Sequence, residues 1–426
     1  MIKNLLYIGL LLTLVSCNAQ SNENKIILKP AVQQSIEQKS NLFYQQILAN
    51  SVEIESNGEQ LSKQHLDNFS KKLNHVKIIG LGEQTHGSAT VFKLKTQLVK
   101  YLHQHHDFDV LLFESGMFDV KQIWKQAQKG QSIKIMAPGN IFYMYAKNKE
   151  VSPLFDYINQ QALTDDPLIF AGFDSQHSGN YSINNLLNQL TVEVKNSTDD
   201  WTTNSKWKKF KQTTQEIIQL SKTRLSPKDE MVFFQQLKRV QRVFLTNRNK
   251  FWYRIAIGLE SQAKRQWKIS DSRSQEMGEN IKWLISQYPN KKILIWGHTF
   301  HLSRLGVNEI NAGEILSKAF GKQYLATQVT ASAGSYLDFV NFKIKRVKQA
   351  ENNSIESLLN KNIKTPYAFV DFRKLNVKEQ ETKIFSVNYH PTVEAKYWKK
   401  YWDGVFYIKQ ITPTNYQPTK EQMEYE

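Results

Sequence analysis

A single cysteine, Cys17, excludes a disulfide within the chain. No Gly-x-Ser-x-Gly element occurs, which argues against a serine nucleophile carried on a strand-to-helix elbow. With the one cysteine placed at the N-terminus, no covalent nucleophile stands out, and direct attack by water is the simpler chemistry. Long apolar runs are also missing. Leu5 to Val15 is too short to span a membrane as a stable helix, and nothing later in the chain is longer and as apolar. Acidic residues are few: 39 Asp and Glu stand against 56 Lys and Arg, a formal charge of +17. The excess is spread along the chain. It favours anionic surfaces or ligands but carries no information about fold. The segment Lys206-Trp207-Lys208-Lys209-Phe210-Lys211 reads as a solvated helix face with its aromatics turned inward, and no nucleic-acid motif accompanies it. No internal repeat is present.

The N-terminus has the form of a targeting segment. Lys3 supplies a short positive region, Leu5 to Val15 an apolar core, and Leu14-Val15-Ser16-Cys17 resembles a bacterial lipobox. Residues 1–17 are therefore expected to be a lipoprotein signal peptide. Cys17 is the expected lipidation site, and acyl chains there would hold the protein to a membrane. Residues 18–40, polar and poor in large apolar side chains, read as a flexible tether. The folded domain is expected over 41–415 and a short tail over 416–426. The stretch after Cys17 lacks an acidic run, which points to the cell envelope and a periplasm-facing anchor.

The rest of the chain alternates helical and strand-like patterns. Ser40 to Leu73 reads as helical. Val76–Leu81, Asp107–Phe113, Pro167–Phe173 and Lys292–Trp296 are short apolar runs of the kind found in strands buried on both faces. Between the first two, Val91, Leu94, Leu98 and Leu102 fall on one helical face. Strand, helix and strand joined by short turns is the βαβ signature of a parallel sheet. Helices are expected at Asp119–Lys129, Ser152–Leu163 and Ser272–Gln287, and a helical insertion at about 184–265, with Pro227 as a break. Further strands are expected at Tyr324–Val329, Phe339–Lys343, Ala368–Phe372 and Gly404–Ile408. The fold class is α/β, a parallel-rich central sheet flanked by helices.

Four of these strands end on polar residues. Gly82-Glu83-Gln84-Thr85-His86-Gly87 follows the first, Glu114 closes the second, Asp174 the third, and Gly297-His298-Thr299-Phe300-His301 the fourth. In open α/β sheets, sites form beyond the carboxyl ends of strands. A neutral imidazole at His86 can take a proton from water near neutral pH. Glu83 or Glu114 can fix its tautomer, and His298 or His301 can donate to an oxyanion. Lys95, about two turns into the helix after His86, adds positive charge. His103, His105 and His106 close that helix, where a cationic side chain suits the helix dipole. Gln176 and His177, in a Ser- and Gly-containing loop, are weaker site candidates.

In their order, Gly82 to Gly87, Phe113-Glu114-Ser115, Gly172-Phe173-Asp174 and Trp296 to Leu302 resemble the erythromycin esterase family, over roughly Leu61 to Ile411. The resemblance implies a hydrolase that cleaves an ester or lactone, with macrolides as the family's known substrates, and works without a metal or other cofactor. It implies His86 as the base that activates water, Glu83 and Glu114 as its orienting carboxylates, and His298 and His301 on the carbonyl side. Lys95, Thr90, Asp174 and Arg273 become candidate substrate-binding residues. The chain departs from the family pattern at several places. Thr90 stands where a Glu is usual and Lys95 where an Arg is usual. Thr299 replaces an Asn, and Arg273-Ser274 replaces an Arg-Asp pair. The expected partners are a small ester or lactone and, through Cys17, a membrane; nucleic acid is not expected. The competing expectation is a non-catalytic lipoprotein that uses the same cleft for a metal, haem or glycan.

Overall fold

Three neighbouring strands whose residues are nearly all buried form the middle of a nine-stranded sheet. The computed structural model describes residues 41–197, 201–221, 224–306, 309–348, 350, 352, 354–376 and 398–416. Cys17, the expected signal segment and tether, and residues 417–426 lie outside the described residues. In chain order the first part comprises α1 (41–49), β1 (Ser51–Ile54), α2 (Lys63–Ser70), β2 (Ile78–Glu83), α3 (Ala89–His106), β3 (Val110–Gly116) and α4 (Met117–Ala127). Next come α5 (Ile133–Met136), α6 (Tyr143–Ala146), α7 (Ser152–Gln161), β4 (Ile169–Asp174), α8 (Leu187–Lys195), α9 (Ser205–Ile218), α10 (Pro227–Thr246) and α11 (Lys250–Gln266). The last part holds α12 (Arg273–Gln287), β5 (Ile293–His298), α13 (Thr299–Leu302), α14 (Ala312–Phe320), β6 (Tyr324–Leu337), β7 (Ile344–Arg346), α15 (Ile355–Asn362), β8 (Tyr367–Asp371), α16 (Trp398–Tyr401) and β9 (Gly404–Ile411).

The strand order is β1-β8-β9-β6-β2-β5-β3-β4, with β7 paired to β6. From β9 through β4 all pairings are parallel, while β8 and β1 run antiparallel at one edge. This is the α/β architecture expected from the sequence. The register carries the functional information. Glu83 lies beside His298, and Leu81 beside Trp296. Phe113 lies beside Trp296 on the other flank. A bulge after Phe113 then brings Gly116 beside Asp174. All four polar strand ends thus meet at one edge of the sheet.

The helices cover both faces because the two central crossovers run in opposite directions. The chain leaves β2, passes through α3 and returns as β3 beyond β5. It leaves β5, passes through α14 and returns as β6 beyond β2. Right-handed crossovers place these two helices on opposite faces. Accordingly, Val91, Leu94 and Leu98 pack with Leu81, Leu111 and Trp296, whereas Met277, Ile281 and Leu316 pack with Ile78, Ile293 and Ile295. A crevice is left between the loops that follow β2 and β5. The helices α8 to α11 build an apolar core of their own around Trp207, Phe210, Phe233 and Trp252, together with Met117 and Phe118 from α4.

Two expectations are corrected. The span Ser40 to Leu73 is not one helical stretch: β1 interrupts it as an edge strand paired antiparallel to β8, with Ile54 alone of that strand buried. Phe339–Lys343 is not a strand but the tip of the β6–β7 hairpin. Asp338 accepts the Val340 N–H at 2.9 Å, and Phe342 takes a positive φ of 54°. Side-chain bonding to its own backbone lets Asp compete with the ladder and close a turn.

Candidate active site

The turn after β2 is fixed by close backbone approach. A Cβ on Gly87 would lie 1.7 Å from the Leu337 carbonyl oxygen, so only glycine lets the turn pass against β6. Ser88 then caps α3, its hydroxyl accepting the Val91 N–H at 3.4 Å. This holds His86 at the crevice with its ring 5.0 Å from that of His298, centroid to centroid. His298 and His301 centroids are 6.5 Å apart. The two histidine motifs, more than two hundred positions apart in sequence, therefore share one pocket.

His86 Nδ1 is 3.2 Å from Glu83 Oε1 and 3.0 Å from the Tyr145 hydroxyl. That hydroxyl donates a short hydrogen bond to the same Glu83 oxygen and lies 3.5 Å from Glu114 Oε2. Burial raises the Tyr145 phenol well above its ordinary range, and the two carboxylates add to this, so it keeps its proton. With that proton directed at the Glu83 carboxylate, both neighbours of Nδ1 are acceptors. Nδ1 is therefore the protonated nitrogen, and the lone pair sits on Nε2. The rings of Phe142 and Phe339 pack edge-on against the imidazole at 4.9 and 4.8 Å.

Glu83 is wholly buried. Burial works to raise its pKa, but Lys95 and His86 outweigh this and hold it down at about 2. Lys95 Nζ bonds Glu83 Oε2 and lies 4.0 Å over the Trp296 ring. Burial lowers the Lys95 ammonium to about 8 despite the carboxylate. Glu114 is raised by burial. Its Oε2 accepts the His298 N–H at 2.6 Å, and its Oε1 is 3.5 Å from His301 Nε2.

The remaining expected residues divide. His298 has both ring nitrogens engaged by backbone: Nδ1 accepts the Phe300 N–H at 3.2 Å, and Nε2 faces the Gln84 carbonyl at 3.1 Å. That arrangement corrects the expectation of oxyanion donation from His298, whose ring braces the two motif loops. His301 Nδ1 is 2.8 Å from the Ser274 hydroxyl. The serine thus still bonds the histidine where the family pattern has an acid. Arg273 makes a two-pronged pair with Asp174, Nε to Oδ1 at 3.0 Å and Nη2 to Oδ2 at 2.5 Å, and both line the cavity. Thr90 does not reach the cavity. It bonds Thr412 at 2.9 Å at the end of β9, so the expectation that it binds substrate is corrected. Lys95 is likewise corrected, being sealed beneath Glu83 on the sheet side of α3. Gln176 lines the cavity, whereas His177 is buried outside its lining, against Gly258.

The cavity is about 730 Å³. Its lining includes the polar His86, Glu114, Asp174, Arg273 and His301 and the largely apolar Ile141, Phe142, Tyr143, Phe300 and Phe339. Tyr145, Phe142 and Phe339 were not legible as site residues in the sequence. Asp119 is also new: buried in the cavity wall, it is raised by burial to about 6, while its carboxylate accepts from the Ser182 N–H and hydroxyl at 2.8 and 2.6 Å.

His301 gives a pH prediction. Burial and the Arg273 charge hold it at about 3, below its ordinary value of about 6.5. Between these values the unfolded chain binds a proton that the folded one refuses. Stability is therefore expected to fall as pH drops from about 6.5 toward 3. The fall in thermal midpoint over this range should be shallower in His301→Gln. Equal slopes in the two proteins would assign the acid sensitivity elsewhere.

Comparison with known proteins gives the family. The erythromycin esterase family profile matches residues 103–411, beginning within α3 downstream of His86. The protein named "Putative hydrolase YbfO" of Bacillus subtilis strain 168 is 29% identical over 406 residues, covering 83% of this chain and 88% of its own. A solved Bacillus cereus protein superposes with a TM-score of 0.70 at 18% identity, covering 89% of this chain and 99% of that one. The erythromycin esterase EreC, in its open conformation, superposes with a TM-score of 0.63 at 13% identity, covering 85% and 98%. The first of these relatives carries a hydrolase name, and the two structures share the fold. The chain belongs to the erythromycin esterase family and is a hydrolase of that fold.

Proposed function

We propose that the protein hydrolyses a carboxylic ester or lactone by attack of a water that His86 activates. The observation that carries this reading is the pairing of His86 Nδ1 with Glu83 and Tyr145, which leaves the Nε2 lone pair for the cavity. A water beside Nε2 gives up a proton as its oxygen adds to the carbonyl carbon. The imidazolium so formed is stabilised by the Glu83 carboxylate, which stays ionised. Negative charge that develops on the carbonyl oxygen is met by the Arg273 guanidinium and by His301. With Ser274 donating to its Nδ1, His301 presents Nε2–H. Collapse of the tetrahedral adduct expels the alcohol oxygen, and the imidazolium returns its proton there. The products are a carboxylic acid and an alcohol, or the ring-opened hydroxy acid of a lactone.

A cavity lined by several aromatic rings as well as charged groups suits an ester with a bulky apolar body, and a macrolide-type lactone falls within that class. The test is proton release on a panel of aliphatic, aryl and macrocyclic esters, each compared with the corresponding amide. Turnover of none would overturn the ester assignment.

The same proposal places the protein at a membrane through a lipidated Cys17. Among the described residues no helix is long and apolar enough to cross a bilayer. Cys17→Ser is expected to move the protein from the membrane fraction of a bacterial host to the soluble fraction and to remove palmitate labelling. Unchanged fractionation would exclude the anchor.

A further inference from the structure

We propose that His103, Asp109 and Asp166 form a second site, which holds a divalent first-row transition-metal ion at the amino ends of β3 and β4. The site is one strand length from the catalytic cavity, because the carboxyl ends of the same two strands carry Glu114 and Asp174. One ligand atom from each of the three residues lies within 4.8 Å of the other two. The imidazole is not ion-paired to either carboxylate. Around a tetrahedral ion with bonds of about 2.0–2.1 Å, such atoms stand about 3.3 Å apart, a contraction that side-chain torsions can supply.

The local fold explains the grouping. His103 lies in the last turn of α3, which ends at Asp107 with a left-handed φ of 56°, and the chain turns directly into β3. Asp109 is the residue before β3. Its carbonyl accepts the Ile169 N–H at 2.8 Å, which ties the starts of β3 and β4 together. Asp166 sits in the loop just before β4.

The second observation is on the histidine. His103 is only 4% exposed, and its Nε2 has no hydrogen-bond partner. A buried ring nitrogen without a partner is costly. Its other nitrogen is 2.6 Å from the Tyr157 hydroxyl. Metal-bound histidines are held in this way, one nitrogen on an outer polar group and the other on the ion. Lys291 takes Oδ2 of Asp109 at 2.8 Å and leaves Oδ1 for ligation. One imidazole and two carboxylates favour zinc or manganese over calcium and magnesium, which prefer all-oxygen sets.

The probe is Zn²⁺ added to chelator-treated protein, with bound metal counted after gel filtration and the thermal midpoint followed. Asp166 is exposed, so Asp166→Asn is expected to fold. Wild type is expected to retain one equivalent of zinc and gain in thermal midpoint. Asp166→Asn should lose both effects while keeping its esterase turnover. Because the catalytic histidines could also take up zinc, His86→Asn is the control and should keep the equivalent. Binding that survives Asp166→Asn but not His86→Asn would overturn the proposal, as would wild type that holds no zinc.

Discussion

His86→Asn is expected to lower kcat/KM for a hydrolysed ester by about 10²–10⁴-fold, the range for loss of a general base. Asparagine places an amide where Nδ1 stood and so can keep the bond to Glu83, but it has no nitrogen lone pair at the Nε2 position. The variant should fold, because His86 is held by a turn, aromatic rings and one hydrogen-bond pair, and contributes little to the sheet core. Kinetics and the thermal midpoint measured together separate the two effects. Retention of activity within about threefold would remove His86 from the chemistry.

Glu83→Gln is expected to damage both stability and turnover. Lys95 is 1% exposed, and Glu83 is its only ion-pair partner among the described residues. Breaking a buried pair from one side costs about 3–5 kcal/mol, because an uncompensated charge remains. Trp296 beneath the ammonium offsets part of this. Turnover falls because the imidazolium loses its counter-charge and Nδ1 its acceptor; the comparable change in a serine hydrolase triad costs about 10⁴-fold. The double variant Glu83→Gln/Lys95→Met separates the roles. Methionine fills the lysine's space without charge, so the thermal midpoint should recover most of its loss while turnover stays low. Recovery of turnover with the midpoint would show that Glu83 acts on stability alone.

Much of the site was legible because the sheet writes it into the sequence. Each central strand is an apolar run closed by a polar residue, and parallel pairing in register brings Glu83, Glu114, Asp174 and His298 to one edge. Lys95 carries a signal of its buried position in the sequence. It lies four residues after Val91 and three before Leu98, on the apolar face of α3 that meets the sheet, and so could not face a ligand. Tyr145 left no such signal. It sits on α6, a single turn in an aperiodic stretch, and reaches Glu83 only because the chain from α4 to α7 folds over the crevice. Phe339 escaped notice because its segment reads as a strand, while its place at a hairpin tip depends on the Asp338 turn. The edge strand β1 was hidden for the opposite reason: four residues between two helices carry too little alternation to be separated from them.

In the proposed reaction His86 works through the lone pair on Nε2, because Glu83 and Tyr145 occupy Nδ1. The ring ¹⁵N shifts of His86, read from two-bond ¹H–¹⁵N correlation spectra near neutral pH and assigned by their absence in His86→Asn, report this without knowledge of the substrate. A protonated Nδ1 with a bare Nε2 is the expected pattern; a ring protonated on Nε2 with a bare Nδ1 would contradict the account.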